Sequence, residues 1–255
     1  MAFDADDEPE SLTPIADCAP CPYRETLLPE GRCQPGDRCV RVESGRQIDR
    51  FFKLNPGLAP EYLADGFWER RAIAARYSPQ HRLDELIHDP DEAVRRVVAY
   101  RIPLEGLLAM RQDPDREVRI TVADRLPEEH LESMATDRDY LVRAYVAKRL
   151  PVGRLFRLAA DADRQVRRIV AERIPAVSLG LMAHDPEVEI RRLVASRLTG
   201  EHVKLVLDDP DWTVRYEAAL RAPVEVLQRL LQDEDPEVRR AAEERLAAEP
   251  APSKS

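Results

Sequence analysis

The chain repeats itself every 24 residues through most of its length, without one insertion or deletion. Four copies are DPDEAVRRVVAYRIP from Asp89, DPDREVRITVADRLP from Asp113, DRDYLVRAYVAKRLP from Asp137 and DADRQVRRIVAERIP from Asp161. The period continues through Asp185, Asp209 and Asp233, and a degenerate copy extends it back to Asp65. A fixed period of this kind is typical of a stack of small units that cannot bury their apolar faces alone. Most of the chain is therefore predicted to be a scaffold.

Each repeat predicts a longer helix followed directly by a shorter one. Asp89 occupies the position of a helix N-cap and Pro90 that of the first helical residue. The apolar residues that follow recur on one helical face: Val94, Val97, Val98 and Ile102. Pro103 ends this helix, and the shorter segment has apolar residues at intervals of three: Leu104, Leu107 and Met110. That interval fits both a 3₁₀-helix and a short α-helix, so the sequence leaves the choice open.

Two columns of arginine recur with the period. The first follows each Val94-type position by one residue, about 100° from the apolar face, and is expected on the flank or solvent side of the helix. Its members are Arg71, Arg95, Arg119, Arg143, Arg167, Arg191, Arg215 and Arg239. The second lies along the apolar face and comprises Arg101, Arg125, Arg149, Arg173, Arg197, Arg221 and Arg245. Because a buried charge needs partners, this column is expected to bind helix-final carbonyls or a capping aspartate of a neighbouring repeat, and to matter more for stability.

Charge and composition limit the classes of function. The formal net charge is -9, which argues against a nucleic-acid or anionic-membrane partner. The acidic start, MAFDADDEPE, lacks the features of a secretory signal, and no apolar run is long enough to span a membrane. A cytoplasmic protein is predicted. The sequence shows no phosphate-binding loop, nucleophile motif or metalloprotease motif, so no enzymatic activity is predicted.

Four cysteines precede the repeats, in the pattern C-x2-C-x11-C-x5-C: Cys18, Cys21, Cys33 and Cys39. Four thiolates in so short a segment can close around one metal centre. The last gap is loose for a structural zinc site, which usually pairs two shorter knuckles. Disulfides require an oxidising compartment, for which the chain gives no sign. An iron–sulfur cluster tolerates unequal gaps, and Cys21 is followed by a proline, as cluster cysteines often are. Spacing favours the cluster, with zinc as the alternative.

This order of features resembles the leucine-rich repeat variant family. The unit P-x3-L-x2-[LM]-x2-D-P-D-x2-V-R-x2-V-A-x-R-[LI] follows the short cysteine module, and the resemblance extends from Cys18 to about Leu246. It implies an all-α fold, a right-handed superhelix of alternating α- and 3₁₀-helices headed by a small [4Fe-4S] domain. It also implies that Cys18, Cys21, Cys33 and Cys39 are the cluster ligands, and an association with nitrogen fixation. Departures occur at the ends, at Ala59, Tyr62 and Glu243, and suggest capping units.

These observations predict four segments: an acidic tail over residues 1–17, a cluster domain and connector over 18–54, eight repeats over 55–248 with a degenerate cap at 55–78, and a disordered tail over 249–255. The leading functional hypothesis is a cluster for electron transfer or redox sensing, joined to a scaffold that docks on another protein, for which a nitrogen-fixation or redox protein is the candidate. The alternative is a binding scaffold whose four-cysteine metal site, iron–sulfur or zinc, is purely structural.

Overall fold

The structure is a computed structural model that describes residues 13–248. Within that range the regular structure is helical, and the β-structure is one isolated bridge between Gln34 and Arg38. The chain divides into two compact units, Met1–Arg125 and Leu126–Ser255. The predicted tail over 249–255 and most of the predicted acidic tail lie outside the described residues. The predicted segment boundaries stay predictions.

Long helices recur with the period of the sequence, and each one packs against the next within its unit. The first unit contains Gly45–Leu54, Trp68–Tyr77, Glu92–Arg101 and Arg116–Arg125. The second unit contains Tyr140–Arg149, Arg164–Arg173, Val188–Ala195, Trp212–Ala219 and Pro236–Ala248. The predicted all-α class is confirmed.

The short segments between the long helices use both conformations that their spacing allows. Five are 3₁₀-helices: Pro56–Tyr62, Gln80–Leu86, Val152–Leu158, Ala176–Met182 and Gly200–Val206. Two begin as α-helix and end as 3₁₀-helix, namely Leu104–Ala109 with Met110–Gln112, and Glu128–Leu131 with Glu132–Met134. The segment Val224–Leu230 is an α-helix.

The N-cap lies two residues later than the sequence suggested. The helix Glu92–Arg101 begins after Asp91, whose carboxylate accepts the Ala93 N–H at 2.9 Å. Asp89 accepts the Asp91 N–H at 2.9 Å and closes a preceding turn. Assigning the cap to Asp89 was therefore wrong. Two aspartates two residues apart can each close a turn, which leaves the first free to bind another element.

The apolar face is shifted slightly from the predicted one. Val94, Val98 and Ile102 are fully buried, whereas Val97 is only half-buried. The position two residues after Val97 is a fully buried alanine in each repeat but the last: Ala75, Ala99, Ala123, Ala147, Ala171, Ala195 and Ala219. Glu243 holds this position in the last repeat and is exposed, which agrees with a capping unit.

The first arginine column is buried, contrary to the prediction. Ion pairs join arginines of this column to the aspartate 18 residues ahead, at the start of the next repeat: Arg71–Asp89, Arg95–Asp113, Arg143–Asp161, Arg167–Asp185, Arg191–Asp209 and Arg215–Asp233. These arginine side chains are only 6% to 14% exposed. Arg239, in the last repeat, donates to the backbone carbonyls of Asp233 and Glu234 instead. The prediction considered a single apolar face, but a helix inside a stack has a neighbour on two sides. A residue 100° from one face therefore lies against the other neighbour.

The second arginine column binds helix-final carbonyls of the preceding repeat, as predicted. Arg125 donates to the carbonyls of Ala99 and Ile102 at 2.6 and 3.0 Å, and Arg197 to those of Ala171 and Ile174 at 2.5 and 2.9 Å. Arg221 differs, because it donates at 2.9 Å to the carboxylate of Glu217, on the helix Trp212–Ala219 that ends just before it. An acidic residue four positions earlier competes for this arginine.

Candidate metal centre

A tight hairpin brings Cys33 and Cys39 to the two ends of one turn. The N–H of Gln34 donates to the carbonyl of Arg38 at 2.8 Å, and the N–H of Arg38 donates back at 2.9 Å. Gly36 has φ of 77°, a conformation that glycine adopts without strain, and follows a proline as in a type II turn. The five-residue gap between the cysteines is thus the length of this hairpin.

Cys18 and Cys21 lie at the two ends of a second turn. The Cys21 N–H donates to the Cys18 carbonyl at 3.2 Å. Asp17 fixes the start of this turn by accepting the Ala19 N–H at 2.8 Å. The connection to the hairpin is also closed by backbone hydrogen bonds, since the Leu27 carbonyl accepts the N–H groups of Arg32 and Cys33 at 2.9 and 3.4 Å.

The four cysteines are free thiols that share one electrostatic environment. Burial raises the pKa of the Cys33 thiol, and the other three cysteines raise it further. Burial also raises the pKa of Cys18, with smaller contributions from Cys21 and Cys39. Arginines oppose these effects, Arg38 at Cys33 and Arg24 at Cys18. The fold therefore gathers all four predicted ligand residues into one region, beside two positive charges.

Among residues 13–248, no three His, Cys, Asp or Glu side chains are placed to hold a single metal ion. A cluster of several irons binds each thiolate through a different iron, so its ligands stand farther apart than those of one ion. Four cysteines in one short segment are the donor set of either centre.

An unpartnered donor also suits an anionic group in this place. The Nε atom of Arg38, between the two cysteines of the hairpin, is buried and has no hydrogen-bond acceptor. A buried donor without a partner is costly, and negatively charged sulfur could accept from it. The donor set and its surroundings therefore fit an iron–sulfur cluster.

Aromatic side chains attach the cysteine segment to the first repeat. The hydroxyls of Tyr23 and Tyr62 are 2.8 Å apart, and burial raises the pKa of both tyrosines. The Tyr23 ring packs on Phe51 with centroids 5.5 Å apart, and Phe52 packs on Tyr62 at 5.4 Å. Asn55 adds a polar link by donating to the carbonyl of Arg32 at 2.9 Å.

Sequence reasoning treated Tyr62 only as a departure from the repeat and did not identify Asn55 as a contact of the cysteine segment. Tyr62 stands where the other repeats have leucine, methionine or valine, because this position binds the cysteine segment. The available signal was therefore the degenerate repeat itself: an end unit that deviates toward polar and aromatic residues has a partner other than another repeat.

Comparison with known families agrees with this architecture. A family model described as the FeS4 cluster of leucine-rich repeat variant (LRV) protein matches residues 14–61, and one described as leucine rich repeat variant matches 68–91, 116–139, 140–163 and 164–187. A solved structure described as "a leucine-rich repeat variant with a novel repetitive protein structural motif" is 64% identical, with a TM-score of 0.81. The match covers 92% of this chain and 100% of that one.

A second relative is the "uncharacterized 27.7 kDa protein in nifB 3′ region" of Rhodobacter capsulatus, 40% identical over 87 residues. The match covers 34% of this chain and only 35% of that protein. Fold and cysteine segment together define a helical-repeat protein with an N-terminal cluster-binding domain. The chain belongs to the leucine-rich repeat variant family, and its N-terminal segment is the family's iron–sulfur domain. None of the described helices is long and apolar enough to cross a membrane.

Proposed function

We propose that Cys18, Cys21, Cys33 and Cys39 hold a [4Fe-4S] cluster that serves electron transfer or redox sensing, and that the repeats dock this cluster on another protein. The observation that carries the proposal is the gathering of four free thiols by two turns, inside the segment that matches the cluster family. The proposed location is the cytoplasm, where thiols stay reduced.

The ligand set limits what this centre can do. When bound, a cluster of this kind supplies a one-electron redox couple. Four cysteine ligands leave no open iron for a substrate, so the proposed role is not catalytic. The chain's own residues would hold the four sulfurs, and the ring of Tyr23, in the same segment, packs on Phe51, which packs on Phe52.

A purely structural role for the metal is the second candidate. It is favoured by the small number of buried apolar side chains that precede the first long helix: Leu27, Cys39, Val40 and Val42. A segment with so small a core usually needs a metal or disulfides to fold. Reversible reduction without unfolding would distinguish the electron-transfer role from this one.

Metal and sulfide analysis tests the centre itself. The protein purified without oxygen should contain about four irons and four acid-labile sulfides per chain, with a broad visible absorbance that bleaches on reduction. Cys33→Ser should lose most of the iron, whereas Glu30→Gln, an exposed change in the same segment, should retain it. One zinc per chain and no sulfide would contradict the proposal.

The docking role is supported by apolar side chains exposed on the short helices of the second unit. Phe156 and Leu181 are 53% and 66% exposed, and Val152, Val177 and Leu205 are exposed beside them in the same and neighbouring short helices. Isolated exposed residues are ordinary, but a row of them on successive repeats is typical of a binding surface. The proposed partner is a redox protein. The location of the Rhodobacter relative near nifB supports one from nitrogen fixation.

Cross-linking in the native host, with and without oxygen, tests this docking role. Wild-type protein should cross-link to an identifiable redox protein. Leu181→Glu should reduce that product, whereas Glu172→Gln, an exposed change on a long helix of the same unit, should not. Equal yields from both variants would place docking elsewhere.

A further inference from the structure

The Nε atom of Arg38 is a buried donor without a hydrogen-bond acceptor, in a side chain that is 31% exposed as a whole. Its Nη2 atom donates to the Gln34 side-chain oxygen at 2.6 Å, whereas its buried Nε atom donates to nothing. The nearest carboxylate oxygen, Oδ2 of Asp37, is 3.3 Å from Nε but lacks hydrogen-bond geometry. Asp37 also makes a close ion pair with Arg50. The guanidinium is thus held by its neighbours while its Nε–H group is left free.

The backbone fixes where this group lies. Arg38 is paired with Gln34 in the isolated β-bridge, so it cannot shift along the chain without breaking the hairpin. Cys33 and Cys39 are the residues directly before Gln34 and directly after Arg38. The Arg38 guanidinium therefore belongs to the turn that separates the two cysteines of one ligand pair, and its charge lowers the pKa of Cys33.

We infer that Arg38 donates a charge-assisted hydrogen bond from Nε to the negatively charged sulfur of the bound centre, at Cys33 or at a cluster sulfide, and thereby raises its reduction potential. This inference rests on the proposed cluster. A reduced cluster carries one more negative charge than an oxidised one, so the hydrogen bond is stronger in the reduced state. Arg38 is therefore a positioning residue: it holds a hydrogen-bond donor against the centre and so favours its reduced state. It does not take part in any reaction itself.

Arg24 provides the matched control. Its charge also acts on a ligand, Cys18, but its side chain is exposed. Water and salt screen an exposed charge, whereas a hydrogen bond from a buried atom such as Nε of Arg38 is screened much less. Removing Arg38 should therefore change the potential more than removing Arg24 does, and only the effect of Arg38 should persist at high ionic strength.

The test compares midpoint potentials of the cluster-loaded, full-length protein by protein-film voltammetry. Arg38→Gln should reduce the equilibrium constant for reduction about tenfold, which is about 59 mV lower for a one-electron couple. Arg24→Gln should change it less than about twofold at high salt. Equal potentials for wild type and Arg38→Gln would overturn the inference.

Two further measurements distinguish a failure of the proposed function from a failure of this inference. If the wild type has a cluster but no reversible wave, the electron-transfer role fails, and resonance Raman then decides on Arg38. Its Fe–S stretching bands should shift in Arg38→Gln and not in Arg24→Gln, and unshifted bands would overturn the inference. If Arg38→Gln does not load with iron, Arg38→Lys keeps the charge without the planar Nε–H group. Wild-type potential and Raman bands in that variant would overturn the inference.

Discussion

Arg167 joins two consecutive repeats through one guanidinium. Its Nε and Nη2 atoms donate to the two carboxylate oxygens of Asp185 at 2.7 and 3.2 Å, and its Nη1 atom donates to the carbonyl of Asp161 at 2.9 Å. Both charged side chains are almost fully buried. Asp185 also accepts the Glu187 N–H at 2.9 Å, so one carboxylate ties the arginine to the start of the next helix. Such a pair is weak evidence of net stabilisation, but breaking it leaves a buried charge without a partner.

Arg167→Ala is therefore expected to be strongly destabilising. The change should lower the free energy of unfolding by about 3 kcal/mol, because Asp185 stays buried without its counter-ion. Arg168→Ala removes an exposed pair with Glu172 on the same helix and should cost under about 0.5 kcal/mol. Urea denaturation followed by circular dichroism measures both. Similar small losses would show that Asp185 finds water or another donor.

A substitution in the second arginine column should cost an amount of stability between those of these two variants. Arg197→Ala removes hydrogen bonds to two backbone carbonyls and should cost about 1 to 2 kcal/mol. This order reverses the one expected from sequence. The sequence pattern predicted the partners of the second column, because every helix ends in backbone carbonyls that need a hydrogen-bond donor. It did not give the ion pairs of the first column, since they depend on how the next repeat is placed.

Several long helices begin directly after the second acidic residue of their repeat. Asp91, Asp139, Asp163 and Asp211 accept a backbone N–H from the residue two positions ahead, as a capping side chain does. Glu187 holds the same position before the helix Val188–Ala195, and its side chain makes no capping hydrogen bond. Its extra methylene moves the carboxylate out of reach of that N–H.

Glu187→Asp should therefore stabilise the protein. A capping aspartate contributes about 1 kcal/mol relative to a residue that does not cap, and the charge is unchanged. Glu189→Asp, two residues later within the helix, keeps the same composition change without a cap and should be neutral or slightly destabilising. Thermal unfolding of the two variants side by side measures the difference. A stabilised Glu189→Asp, or an unchanged Glu187→Asp, would contradict the capping argument.

For the short helices, the sequence predicted the position but not the choice between α- and 3₁₀-helix. Apolar spacing predicted that each short segment is helical and where it lies, because burial sets that spacing. The proline-initiated segments that begin as α-helix have a glutamate in their first turn: Glu105, Glu128 and Glu225. The proline-initiated 3₁₀-helices have none there. A carboxylate in the first turn stabilises an α-helix by interacting with the positive end of its dipole. This contribution is too small to predict the choice between α- and 3₁₀-helix from one sequence.

For the molecule as a whole, the repeated fold could be predicted more firmly than the metal centre. Successive copies of one pattern reinforce each other, whereas the cysteine segment occurs once. The spacing of the cysteines predicted these four thiols as ligands of one metal centre, and the structure brings the four thiols into one region. The contacts that hold the segment in place, through Tyr62 and Asn55, join residues far apart in sequence and follow no period. They could be found only from the structure.

Acid should unfold the repeats through their buried carboxylates. Burial alone would raise the pKa of Asp161, but hydrogen bonds from Arg143 and the Asp163 N–H outweigh it and lower the pKa below its ordinary value. The same balance lowers the pKa of Asp233. A carboxyl with a lowered folded-state pKa stabilises above its unfolded pKa, about 3.9, and this stabilisation is lost as pH falls through the folded value.

Helical circular dichroism should accordingly stay constant from neutral pH to about pH 4 and be lost below it. Asp161→Asn already lacks the charge, so its stability should be lower at neutral pH and should change less on acidification than that of the wild type. A wild-type transition centred above pH 5 would show that another group controls acid unfolding.

Removing the metal should affect the cysteine segment alone. Residues 13–44 contain no helix and few buried apolar side chains, so without a bound centre little holds them against the entropy of the free chain. The repeats bury their own apolar faces and keep their ion pairs. Treatment with an iron chelator should abolish hydrogen-exchange protection in this segment, leave it intact in the long helices of the second unit, and change the helical circular dichroism little.

The cysteine variant supplies the control for this treatment. Cys33→Ser should resemble the treated wild type and respond no further to the chelator. If protection in the cysteine segment survives metal removal, the centre is dispensable for folding and the structural alternative fails. If protection is lost throughout the chain, the repeats depend on the centre in a way that their own cores do not account for.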